Sequence, residues 1–130
     1  RMPLTSASAD FISMGYALRH IADLSAAFVE FARVLKPGGR VLILEITRPD
    51  GALANTLLRA YMRSVVPTIA RLVARKPQTA ELWRYYWDTI EACAPPEAVL
   101  RTLADAGFVS AERHVELGIF SEYRAVKSSS

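Results

Sequence analysis

The sequence predicts an α/β fold: two parallel strands joined by a crossover helix, an inserted helical region, and a C-terminal antiparallel pair. Three observations carry this. Strand and helix patterns alternate from Asp10 to Ile46. "RVLILEI" (Arg40 to Ile46) has no polar residue between Arg40 and Glu45, the pattern of a parallel strand covered on both faces. "FVSAERHVEL" alternates apolar and polar residues, Gly118 permits a turn, and "IFSEYRAVK" returns, as in a hairpin.

Each element has its own signals. "DFISMGY" (Asp10 to Tyr16) is a short apolar strand running into a glycine. Asp23 suits the N-cap of the next helix, whose apolar positions Leu24, Phe28, Phe31 and Leu35 follow helical spacing. Lys36, Pro37, Gly38 and Gly39 stop that helix. With the strand after it, this makes a βαβ unit. From Ala52 to Arg75, ten apolar residues from Leu53 to Val73 mark one or two amphipathic helices, which Pro67 should kink or divide. Arg59, Arg63, Arg71 and Arg75 share one four-residue register and form a basic stripe, too charged for a transmembrane span. Thr79 to Cys93 is a helix dense in aromatics. Pro95 and Pro96 open another, which ends at "DAGF" with Gly107 as C′. The expected layout is one incomplete domain: 1–51 strand–helix–strand, 52–94 helical insertion, 95–127 helix and strand pair, 128–130 tail.

Composition excludes several classes. With 130 residues and 52% hydrophobic content, the chain can build one core. A net charge of +3 is mild, and no nucleic-acid partner is expected. The single cysteine, Cys93, cannot form an internal disulfide, which fits a cytoplasmic setting. The Cys/His clusters of zinc and iron–sulfur sites are absent, so no metal is expected. "RMPLTSASAD" lacks a natural start and reads as a chain cut from something longer.

The stretch from Asp10 to Ile46 resembles the second half of a class I S-adenosylmethionine-dependent methyltransferase. The landmarks are Leu18, His20, Arg33, Val34, Leu35, Lys36, Pro37, Gly38 and Gly39. A closer resemblance is to the ubiquinone/menaquinone-biosynthesis C-methyltransferase family. It rests on "LRH", "LEITRP", "WRYYWDTIEACAPPE", "DAGF" and "GIFSEYRAVK", and covers nearly the whole chain. His20 stands where that family has asparagine. The resemblance implies the C-terminal part of a Rossmann-like methyltransferase sheet, with S-adenosylmethionine as cofactor and a small, aromatic or quinol-like methyl acceptor. It also implies that the glycine-rich cofactor loop belongs to sequence upstream of this chain. The 130 residues alone would then be inactive, and their first strand would be a bare edge open to pairing. A homodimer, or association with the upstream half, is the expected partnership.

Ligands of open α/β sheets sit at the C-terminal ends of strands. Gly15, Tyr16, Arg19, His20, Glu45, Thr47 and Arg48 are therefore the local candidates; the resemblance implies that Gly15, with Met14 and Tyr16 beside it, lies along the cofactor, the alternative being a plain turn glycine, and Arg19, His20 and Glu45 are the candidate catalytic groups. Arg19 either stabilises an anionic acceptor or pairs with a surface carboxylate. His20 is either a base or a strand-end cap. Glu45 ends a buried apolar strand, which is costly unless it is paired or wetted by a cleft. It serves either a site or an ion pair with a local arginine. Thr47 and Arg48, with Tyr85 and Thr89 on one helix face, are candidate acceptor contacts. The arginine stripe is either a solvated face or an approach to anionic lipid headgroups, a peripheral membrane contact suited to an acceptor with a polyprenyl tail. Two other functions remain open: a basic amphipathic lipid-binding module, or a non-catalytic half-domain that dimerises through its exposed strand.

Overall fold

The computed structural model describes residues 2–74 and 77–129. Its contacts divide the chain into two compact units, Arg1–Ile46 with Ala94–Ser130, and Thr47–Cys93.

The first unit is a four-stranded sheet with two helices. Strand β1 (Ala9–Gly15) leads through a single 3₁₀ turn (Leu18–His20) to helix α1 (Leu24–Val34). Asp23 caps α1 as its sequence position suggests: its carboxylate accepts the Ala26 N–H at 2.9 Å. The helix ends one residue earlier than the apolar spacing implies, because Leu35 is already extended (φ −68°, ψ 141°) and pairs with Ala9. Strand β2 thus runs from Leu35 to Ile46 and contains the Lys-Pro-Gly-Gly segment. That segment bulges: pairing with β1 skips from Leu35 to Arg40. A Cβ on Gly39 would lie 2.8 Å from the Lys36 carbonyl oxygen and 3.2 Å from that of Asp10, so the bulge closes only around glycine.

Helix α5 (Pro96–Asp105) follows, then β3 (Phe108–Glu116) and β4 (Phe120–Lys127). The strand order is β1-β2-β4-β3, with β1 parallel to β2 and the other pairings antiparallel. This is the predicted pair of parallel strands plus an antiparallel pair. Gly107 follows α5 at φ +92°, the left-handed C′ conformation. Within β2, Val41, Ile43 and Glu45 are buried and alternate with half-buried Leu42, Leu44 and Ile46. Their β4 neighbours Ala125, Tyr123 and Ser121 are buried too. With Phe28, Val34, Val99 and Leu103 from α1 and α5, these residues form the core. Among the described residues β1 pairs on one side only, and Phe11 on it is 54% exposed.

The second unit is helical. Helix α2 (Ala52–Ala60), a π turn (Tyr61–Val65) and helix α3 (Val66–Ala74) follow one another without a break in helical backbone. Helix α4 spans Pro77–Glu91. Pro67 does not divide the helix. Its missing N–H and its clash with the carbonyl four residues earlier are the usual cause of a break, but that carbonyl belongs to Arg63, inside the wider π turn. Pro67 is fully buried.

Candidate active site

The site in the first unit forms where β1 and β2 end together. Their parallel register places Gly15 beside Leu44, so Arg19, in the turn after β1, meets Glu45, the last residue but one of β2, although they lie 26 positions apart. The Arg19 backbone N–H donates to Glu45 Oε2 at 3.1 Å, and its Nη1 donates to Oε1 at 2.7 Å. The Ile46 N–H donates to the same Oε1 at 2.9 Å. The side chains of Arg19 and Glu45 are 6% and 0% exposed. A buried carboxylate is tolerable only when paired and hydrogen-bonded, and here three N–H groups from two strand ends converge on it.

Tyr16 links β1 to this centre. Its φ of +56° is a left-handed conformation that a bulky side chain rarely adopts, and its N–H donates to the Leu44 carbonyl at 2.7 Å. Held that way, Tyr16 lines a recess of about 110 Å³ with Leu44, Glu45, Glu116, Phe120, Ser121 and Glu122. Gly15 is exposed, and a Cβ there would meet nothing within 4 Å, so the backbone at the end of β1 is open to close approach. Met14 is half-buried on the same strand. His20 is exposed in the 3₁₀ turn.

The structure thus joins Arg19 to Glu45 and sets Tyr16 beside them. The sequence reading missed Phe120 and Ser121, which reach the recess because β4 runs antiparallel to β2 and sets Ser121 opposite Glu45, and Glu116, which β3 pairs with Phe120. The returning "IFSEYRAVK" segment was the available signal. After β2, Thr47 is buried and Arg48 is exposed.

The second unit carries its own recess on α4, about 560 Å³ and strongly apolar, lined by Thr79, Leu82, Trp83, Tyr85 and Tyr86. Tyr85 is there; Thr89 is not among the lining residues, and its hydroxyl donates to the Tyr86 carbonyl at 2.7 Å. The arginines do not form one free stripe. Arg59 bonds Glu91 at 2.7 Å, and Arg63 bonds Asp88 at 3.3 Å, both on α4. Arg71 is exposed, and Arg75 lies outside the described residues.

The fold is that of S-adenosylmethionine-dependent methyltransferases. A SAM-dependent methyltransferase from Aquifex aeolicus superposes with TM-score 0.57 at 20% identity, over 97% of this chain and 50% of that one. Phosphoethanolamine N-methyltransferase 2 from Haemonchus contortus, in complex with S-adenosyl-L-methionine, gives TM-score 0.62 at 15% identity over 96% and 34%. The chain belongs to the ubiE/COQ5 methyltransferase family, whose model matches residues 1–127. Its relatives include the ubiquinone/menaquinone biosynthesis C-methyltransferase UbiE of Saccharophagus degradans, 33% identical over 87% of this chain and 44% of the relative. Demethylmenaquinone methyltransferase of Clavibacter sepedonicus is 32% identical over 97% and 51%. The chain spans about half the length of the curated relatives it matches.

Proposed function

We propose that this chain is the acceptor-side part of an S-adenosylmethionine-dependent methyltransferase whose acceptor is a small aromatic or quinol-like molecule. The observation that carries the reading is the strand-end centre: open backbone at Gly15, left-handed Tyr16 and the buried Arg19–Glu45 pair, all at the C-terminal ends of two parallel strands. The open backbone at Gly15 fits one flank of S-adenosylmethionine, with Met14 and Tyr16 beside it. When bound, that cofactor supplies an electrophilic methyl group.

The chain's own residues do the positioning. Glu45, closed off from solvent and engaged through both oxygens, fixes the turn that carries Arg19 and His20. A rigid turn holds an acceptor in line for displacement, where misplacement of an ångström is costly. Exposed His20 is the group in that turn available to take a proton from a hydroxyl of the acceptor. Thr47, Arg48, Tyr85 and Thr89 are the acceptor contacts proposed for the second unit by itself. The 130 residues by themselves are inactive, and the free edge of β1 pairs with the remainder of the enzyme or with a second copy.

A chimera tests this. Residues 1–127 replace the matching half of the Clavibacter sepedonicus relative, and transfer of labelled methyl from S-adenosylmethionine to demethylmenaquinol is followed. The chimera should form product and the isolated chain none. A folded chimera that binds S-adenosylhomocysteine yet methylates no quinol would refute the acceptor class. Product from the isolated chain would refute its inactivity.

A further inference from the structure

The recess beside Tyr16 has carboxylates in two different states. On the β2 side Glu45 is spent, because both of its oxygens accept N–H groups. On the hairpin side, Glu116 meets His114 Nε2 through Oε1 at 2.9 Å, and Glu122 meets Arg124 Nε through Oε1. Neither glutamate's Oε2 has a donor among the described residues. Both line the recess, which therefore holds two carboxylates with accepting capacity left. Register sets their distance from the open backbone of β1. Gly15 pairs with Leu44, Leu44 with Glu122, and Glu122 with His114. Paired residues of neighbouring strands lie on the same face, so one row of the sheet carries Gly15, Leu44 and Glu122 side by side. Gly15 and Glu122 are two strand spacings apart, about 10 Å. Between them half-buried Leu44 gives an apolar floor, with Phe120 in the next row.

We infer that Glu116 and Glu122 determine acceptor specificity, by accepting a hydrogen bond from a ring hydroxyl that enters the recess. This rests on the reading of the strand ends as a methyl-acceptor site. The recess measures about 110 Å³, against about 30 Å³ for a water molecule, so it takes a hydroxyl and the ring edge that carries it. The rest of the ring lies on the Leu44 floor, between Glu122 and whatever flanks Gly15. A hydroxyl donating to a carboxylate makes a short, charge-assisted bond. A ring oxygen without a hydrogen, in a carbonyl or a methyl ether, sets lone pairs against the same carboxylates and displaces their water without replacing its hydrogen bonds. The two glutamates therefore favour the hydroxylated ring over a carbonyl or ether of the same shape.

The test titrates the chain with naphthol and with its methyl ether, followed by nuclear magnetic resonance of the backbone amides. Wild type should bind naphthol about tenfold more tightly than the ether, with the largest shifts at Tyr16, Glu116 and Glu122. Glu122→Gln should cut that preference to about threefold or less, and Glu122→Gln with Glu116→Gln should abolish it. Glu112→Gln, on the same face of β3 but outside the recess, should leave it unchanged. Should Glu122→Gln not fold, Glu116→Gln alone, at a side chain 69% exposed, should still lower the preference. No naphthol binding at the recess, equal affinity for naphthol and ether, or a preference that survives the double variant would overturn the inference. So would tighter binding of benzylamine than of naphthol, since the carboxylates would then serve a cation. The functional reading fails separately. Naphthol selected by the glutamates, in a chimera that forms no product, would support the recess assignment and refute the function. A chimera whose methyl transfer to demethylmenaquinol is indifferent to both glutamate variants would refute the recess assignment alone.

Discussion

The two units of this molecule use apolar residues in opposite ways. The sheet unit buries Leu18, Phe28, Leu35, Ile43, Leu103 and Tyr123 almost completely and balances its charge. The helical unit buries Pro67, Trp87, Ile90 and Cys93, but it holds ten of the sixteen large apolar side chains left exposed among the described residues, in little more than a third of the chain. In a sheet, hydrogen bonding fixes which neighbours each strand meets, and alternation then fixes which face is covered. A helix satisfies its own backbone, so nothing local decides which stripe is covered. Excess apolar surface is therefore more easily carried on the helical unit than on the sheet.

Three substitutions would break or sharpen this contrast. The largest effect belongs to Arg19→Ala, which strands a carboxylate that is 0% exposed. It should cost about 3–5 kcal/mol in urea denaturation, and replacing Arg19 and Glu45 together by Met and Leu should recover most of that. A loss under about 1 kcal/mol would mean that water reaches Glu45 and that the sheet unit is looser than its burial indicates. Gly39→Ala should cost about 1–3 kcal/mol by the same measure, because the added methyl meets backbone carbonyls of the bulge rather than a movable side chain. The smallest effect is expected in the helical unit. Leu57→Glu should change stability by no more than about 0.5 kcal/mol, since Leu57 is 62% exposed. A large loss there would show that the stripe is covered within the folded chain, and the contrast would fail.

Much of the sheet unit is legible in the order of its residues. Asp23 announces α1, the run from Val41 to Leu44 announces β2, Pro95–Pro96 and Gly107 bracket α5, and Gly118 marks the hairpin, whose turn holds Leu117 and Gly118 at φ +53° and +73°. Each signal acts through the backbone within a few residues of itself. Of the candidate site, Gly15, Tyr16, Arg19, His20 and Glu45 can be picked as residues ending strands, and the family can be recognised from the same stretch.

The sequence by itself determined where most helices and strands begin and end, the order in which they follow, and the excess of positive charge between Asp50 and Glu81. Capping, glycine conformation and apolar periodicity are local properties. Only the tertiary structure decided that Arg19 closes over Glu45, that Ser121 lies opposite it, and that Leu58 rather than Leu57 is the less exposed of two adjacent leucines. Those outcomes depend on strand register and on which side of a helix meets a neighbour, and both are set by contacts between segments far apart in the chain.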